Sequence, residues 1–205
     1  MTESKKSSPA PRPSKIQQRR LARQREQRRT QITWAIGGIG VLAVIIAIVM
    51  LVSSNNPTGN TGIEGLESFT VQQGHTTEPV AYPQVPPVGG IHDPAWQNCG
   101  VYTQPVANEN AVHSLEHGAI WITYQPDLPA AEVRKLQTLT RQSGYRLLSP
   151  YPGLPSPIVA SAWGYQVKLE NADDARLLQF IQRFEQDPRA PEPGAPCTGG
   201  FGQPE

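Results

Sequence analysis

The residues best suited to chemistry stand together in one pentapeptide, His113-Ser114-Leu115-Glu116-His117. On a helix, positions four apart share a face and bring two imidazoles to about 6 Å of one another. That spacing lets both bind one metal ion, and imidazole donors suit Zn²⁺ or Cu²⁺. His92, in Gly90-Ile91-His92-Asp93-Pro94, lies on the preceding loop and is the candidate third ligand. An ion that clips such a loop to a helix would offset the entropy lost in ordering it. A Cu⁺ carrier would call on thioethers, yet the only methionines are Met1 and Met50, far from these histidines in sequence.

The same residues support two other uses. His-Ser-Leu-Glu-His also fits H-x-x-E-H, the inverted zinc-peptidase pattern, in which Glu116 would activate metal-bound water. Against that use, Gly118 stops the helix at once, and no long downstream helix offers a further ligand. Equally, the rings can serve without metal, hydrogen-bonding the orphan carbonyls around a helix end. His75, alone in Gln-Gln-Gly-His-Thr-Thr, reads as an exposed loop residue.

Cys99 and Cys197 are the only cysteines. No C-x-x-C redox pair exists, and in an oxidising compartment a lone pair bonds, which would take Cys99 off the list of metal ligands. No glycine-rich phosphate loop or strand-to-helix nucleophile elbow appears, so neither nucleotide binding nor serine hydrolysis is indicated.

The elements that must position these residues follow from periodicity. Asn108 to Gly118 reads as a short helix with Asn108 as N-cap, and Ala119 to Tyr124 as a strand. Asp127 to Gly144 carries Leu128, Val133, Leu136 and Leu139 at helical spacing. Tyr145 to Ser149, Ile158 to Ala162 and Tyr165 to Leu169 read as strands, with a bulge or bend at Trp163-Gly164. Asn171 would cap a last helix presenting Leu177, Leu178, Ile181 and Phe184, ended by Pro188. Phe69 to Gly90 is a proline-rich lead-in with a short strand at Phe69 to Gln72. This order predicts an α+β fold, a small mixed or antiparallel sheet with helices on one face; the central βαββα suits a ferredoxin-like arrangement.

Charge divides the chain of 205 residues. Before Thr30 stand ten basic and two acidic residues, a net +8, while the remainder carries −7. Between them, Ile32 to Val52 is a run of 21 uncharged, mostly apolar residues. At about 1.5 Å per residue such a run spans the roughly 30 Å hydrocarbon layer of a bilayer. It is too long for the core of a cleaved signal peptide. The expected organisation is a basic cytoplasmic tail at 1–31, a transmembrane signal-anchor helix at 32–52, a flexible linker at 53–61 and an extracytoplasmic domain at 62–205, oriented by the positive-inside rule. The arginine run is explained by topology and by anionic lipid, so no nucleic-acid partner is inferred. Ala43 and Ala47 form a small-xxx-small pair compatible with a homodimer through the span.

Four separated segments, Pro86 to Tyr102 (PPVGGIHDPAWQNCGVY), Ala111 to Tyr124 (AVHSLEHGAIWITY), Ser149 to Gly164 (SPYPGLPSPIVASAWG) and Ala195 to Gly200 (APCTGG), occur in one order. Together they resemble the bacterial family catalogued as domain of unknown function 3105, over roughly Gly62 to Gly200. The resemblance implies a membrane-tethered domain outside the cytoplasm and brings no activity with it. Its pattern falls on His92, Cys99, His113, Glu116, His117, Trp163 and Cys197. The leading expectation is therefore a single-pass membrane protein whose outer domain binds zinc or copper through His113, His117 and His92. The alternative is a metal-free module that binds another protein of the cell envelope, and the third is a metallohydrolase with Glu116 as its base.

Overall fold

The structure is a computed structural model that describes residues 62–205. The basic tail, the apolar span at 32–52 and the linker lie outside the described residues. Among the described residues no helix is long and apolar enough to cross a membrane.

Among the described residues six strands and three helices follow one another as β1 (Glu67–Ser68), β2 (Gly100–Val101), α1 (Asn108–Glu116), β3 (Ile120–Tyr124), α2 (Ala130–Thr140), β4 (Arg146–Pro150), β5 (Ile158–Ala162), β6 (Tyr165–Leu169) and α3 (Ala175–Phe184). The strands form one mixed sheet ordered β1-β6-β5-β3-β4-β2, with β3 central. Strands β3 and β4 are parallel, β3 and β5 antiparallel. All five residues of β3 are buried, because both faces of the sheet are covered.

Alternation along β3 sorts the two layers. Ile120, Ile122 and Tyr124 join Leu136 of α2 and Leu177, Phe180, Ile181 and Phe184 of α3 in the larger core. The α3 residues recur at the spacing of one helical stripe, the pattern that docks a helix on a sheet. Trp121 points the other way and packs with Leu147 of β4 and with Ala111 and Leu115 of α1. Its indole N–H donates to Ser149 Oγ at 3.0 Å, so burial of the ring leaves no polar atom unpaired.

The α+β class and the mixed sheet match expectation, but the arrangement differs in two respects. Helices cover both faces, with α1 opposite α2 and α3. A ferredoxin-like order is also excluded: that fold places a strand between its two parallel strands, whereas β3 pairs directly with β4 over five residues. Smaller differences have local causes. Trp163-Gly164 is a tight hairpin turn joining the Ala162–Tyr165 pair, with Gly164 at φ +75°, a conformation that favours glycine. Asp174, three residues after the expected Asn171, caps α3 by accepting the Arg176 N–H at 2.9 Å, while the Asn171 side chain accepts the Asp173 N–H in a local turn. Ala107, not Asn108, occupies the N-cap of α1. The first strand is Glu67–Ser68 rather than Phe69 to Gln72, and pairs only with the edge of β6.

Phe180 is fully buried, while Leu178 on the same helix is 51% exposed. In denaturant titrations Phe180→Ala is expected to cost about 3–5 kcal/mol and Leu178→Ala under about 0.5 kcal/mol. Equal effects would refute this orientation of α3.

Candidate metal centre

Helix α1 has two working faces. One carries Ala111 and Leu115 to the sheet; the other carries His113, Glu116 and His117, at i, i+3 and i+4, to a polar pocket. All three are nearly inaccessible, at 5%, 4% and 2% exposure, and His92 is fully buried beside them. Burying so many polar groups is costly unless each finds a partner.

The partners are backbone carbonyls from separate stretches of chain. His92 Nδ1 lies 2.7 Å from the Gly90 carbonyl, His113 Nδ1 2.7 Å from that of Asp93, and His117 Nδ1 2.8 Å from that of Pro196. A carbonyl only accepts, so each Nδ1 donates a proton to it, and in the neutral form of each ring the lone pair is on Nε2. This arrangement fixes the tautomer and orientation of metal-binding histidines elsewhere.

His75 joins them through the backbone. Gly74 O accepts the His92 N–H at 2.9 Å and His92 O accepts the Thr76 N–H at 2.7 Å, setting His75 and His92 side by side. The ring of His75 is exposed, as its sequence context suggests, at 46% of its side chain. It nevertheless lies over the pocket, its centroid 4.7 Å from that of His92 and 5.1 Å from that of His113.

His75, His92, His113 and Glu116 each offer one donor atom, and these atoms lie within 4.8 Å of one another. Glu116 Oε2 is 2.9 Å from His92 Nε2 and 3.7 Å from His75 Nε2. Donors placed tetrahedrally at about 2.0–2.1 Å from one ion are separated by about 3.3–3.4 Å, so these two distances bracket the required edge. A second group adjoins the first and shares His113 with it: His113, His117 and Glu192, again within 4.8 Å. Trp96 flanks the His113 and His117 rings, at 5.8 and 5.2 Å, and Trp163 meets His92 edge-on at 5.8 Å.

Burial governs the electrostatics. It holds His92 and His113 below the ordinary histidine pKa, against the raising influence of the Gly90 and Asp93 carbonyls. It raises Glu116, and the nearby Glu192 carboxylate raises it further. Both shifts disfavour a His92⁺–Glu116⁻ ion pair. What suits the contact is either one shared proton between neutral groups or a cation that accepts from both.

The structure thus brings His92 and His113 into one group and sets His117 in the neighbouring one. Cys99 is bonded to Cys197, with a Cα–Cα distance of 5.3 Å, and offers no thiolate. Sequence reasoning gave Glu116 only the role of a base, although its i+3 relation to His113 already placed it on the same face. For His75 and Glu192 no local signal exists, since neither belongs to a spaced motif.

The disulfide anchors a C-terminal segment that hydrogen-bonds to the end of α1. Glu192 and Gly194 donate their N–H groups to the Glu116 and His117 carbonyls at 3.1 and 3.2 Å, pairing groups that the end of α1 leaves open. Gly118, at φ +89°, lets the chain turn away with Gln186 pressed against it; a Cβ there would lie 3.0 Å from Gln186 Cα.

The chain matches the family described as Protein of unknown function (DUF3105) over residues 74–199, which takes in both groups and the disulfide. No curated protein and no solved structure matches it.

Replacing Cys99 and Cys197 together by serine frees a loop closed across 98 residues. The expected loss is about 2–5 kcal/mol, read as a lower denaturation midpoint that dithiothreitol no longer changes. A midpoint equal to that of the oxidised wild type would mean that the hydrogen bonds of the tail hold it unaided.

Proposed function

We propose that this chain, which belongs to the DUF3105 family, is a membrane-tethered protein whose domain outside the cytoplasm binds one divalent transition-metal ion, zinc or copper. His75, His92, His113 and Glu116 are the ligands in this reading. The observation that carries it is the convergence of their donor atoms in a buried pocket, with the Nδ1 atoms of His92 and His113 already committed to carbonyls. Three imidazoles and a carboxylate suit zinc or copper, and do not suit calcium or magnesium, which take oxygen ligands.

The role is binding, not turnover. Four protein donors fill a tetrahedral zinc sphere, whereas catalytic zinc keeps a position open. Glu116 lies within hydrogen-bond distance of His92 rather than standing off as the base of a hydrolase. The placement outside the cytoplasm rests on the basic tail and apolar run in the sequence. A disulfide that uses both cysteines of the chain supports it, since such bonds persist in oxidising compartments.

One observation favours a metal-free reading. At 2.9 Å, a protonated Glu116 would donate to His92 Nε2 and satisfy both groups without an ion. The domain would then be an interaction module of the envelope.

Metal analysis decides between them. The full chain, purified in detergent through a tag free of histidine, should hold about one zinc or copper ion, and His92→Ala with His113→Ala should lose it. Removing the ion should lower the melting temperature by roughly 10 °C relative to protein held at about a thousand times the dissociation constant. Folded wild-type protein that takes up neither ion after incubation with both would overturn the proposal.

A further inference from the structure

Building on that metal-binding reading, we propose that His113, His117 and Glu192 form a second position for the same ion, through which it enters and leaves the buried one.

The geometry is that of a site with three protein ligands. His117 Nδ1 is engaged by the Pro196 carbonyl at 2.8 Å, so Nε2 is its free donor. That atom lies 3.6 Å from Glu192 Oε2, again close to the roughly 3.3 Å edge of a tetrahedral sphere. Glu192 is not a wandering surface acid. Its own N–H is bonded to the Glu116 carbonyl, and Cys197, five residues on, is bridged to Cys99.

His113 belongs to both groups, and this limits occupancy. Its Nδ1 is spent on the Asp93 carbonyl, leaving Nε2 as its one donor atom. A neutral imidazole nitrogen has one lone pair and ligates one ion. The two positions therefore cannot both use His113 at the same time, and one ion alternates between them. In the exchange the ion keeps its bond to His113 Nε2, gives up His75, His92 and Glu116, and takes His117 Nε2 and a Glu192 oxygen. No electron is transferred.

The two positions differ in access. Glu192 is 54% exposed, and three protein ligands leave room in the sphere for water or for a donor atom of an incoming acceptor. In the inner group His92, His113 and Glu116 are all buried. Only His75 opens that group to solvent, so the competing route runs past His75.

The test follows exchange rates in the full chain in detergent. Protein loaded with one Zn²⁺ is mixed with excess chromogenic chelator in a stopped-flow instrument, and loading is followed in the reverse experiment. Glu192→Gln keeps the shape of an exposed side chain and removes its charge; Glu192→Ala and His117→Gln are companion variants, each checked by its metal-free melting curve. Expected is a loss of about tenfold or more in both loading and release, with one ion still bound at equilibrium. Wild-type rates in the folded Glu192 variants would overturn the inference and assign the route past His75. Faster release, or two ions bound per wild-type chain, would overturn it as well. A wild-type chain that binds no ion would remove the metal reading and this inference together, an outcome distinct from bound metal with unchanged rates.

Discussion

Four buried polar side chains, three at the C-terminal end of one short helix and His92 from the loop before it, set the terms for much of this domain. His92, His113, Glu116 and His117 cannot remain in a water-poor pocket unless their hydrogen-bonding atoms are satisfied. Their partners must come from outside the helix, because α1 ends at Glu116 and its own last carbonyls also need donors. The irregular lead-in supplies the Gly90 and Asp93 carbonyls, and the tail supplies the Pro196 carbonyl and the Glu192 and Gly194 N–H groups. Segments without regular structure are thus tied down by the requirements of the site.

The tail is held at several further points. Asn98 accepts the Gly200 N–H at 2.7 Å and donates to the Gly202 carbonyl at 2.6 Å, and Trp96 O accepts the Phe201 N–H at 2.7 Å. Gly200 admits this approach because a Cβ there would collide with Trp96. The disulfide lies in the middle of this lacing, with the Cys99 N–H bonded to the Cys197 carbonyl. Its contribution, in the chain-entropy account, is made in the unfolded chain, where it keeps the tail near the loop it must find.

Much of the fold was legible because periodicity reports burial. Leu177, Ile181 and Phe184 marked the buried face of α3, although Leu178, read with them, is exposed, and the β-branched and aromatic run at Ala119 to Tyr124 marked the central strand. The layer occupied by α1 was not legible. Ala111 and Leu115 are the residues it packs with Trp121 and Leu147, while its other face is buried against polar groups that look solvent-facing in a sequence. Strand order escaped for a related reason: nothing local records that β3 pairs directly with β4, since that choice depends on how α2 crosses over. The site was half legible. The i, i+3, i+4 set on α1 and the loop His92 could be read from spacing, but His75 reaches the pocket through a backbone bridge to His92, which no pattern of side chains encodes.

A ligand set drawn from separate segments has an energetic consequence. His75 and His92 stand 17 residues apart, and His113 lies 21 beyond, so in the unfolded chain their donors meet only at the expense of closing two loops. The folded backbone makes that payment in advance, through the His75–His92 bridge and the carbonyls that orient His92 and His113. An ion bound there would add its affinity to the stability of the fold, because the unfolded chain offers no comparable cluster. The same preorganisation explains how the pocket can persist without one: Glu116 and His92 already satisfy each other at 2.9 Å when they share a proton. Proton and ion therefore compete for the same two atoms, and what distinguishes the two states is which cation links groups that burial keeps from forming an ion pair.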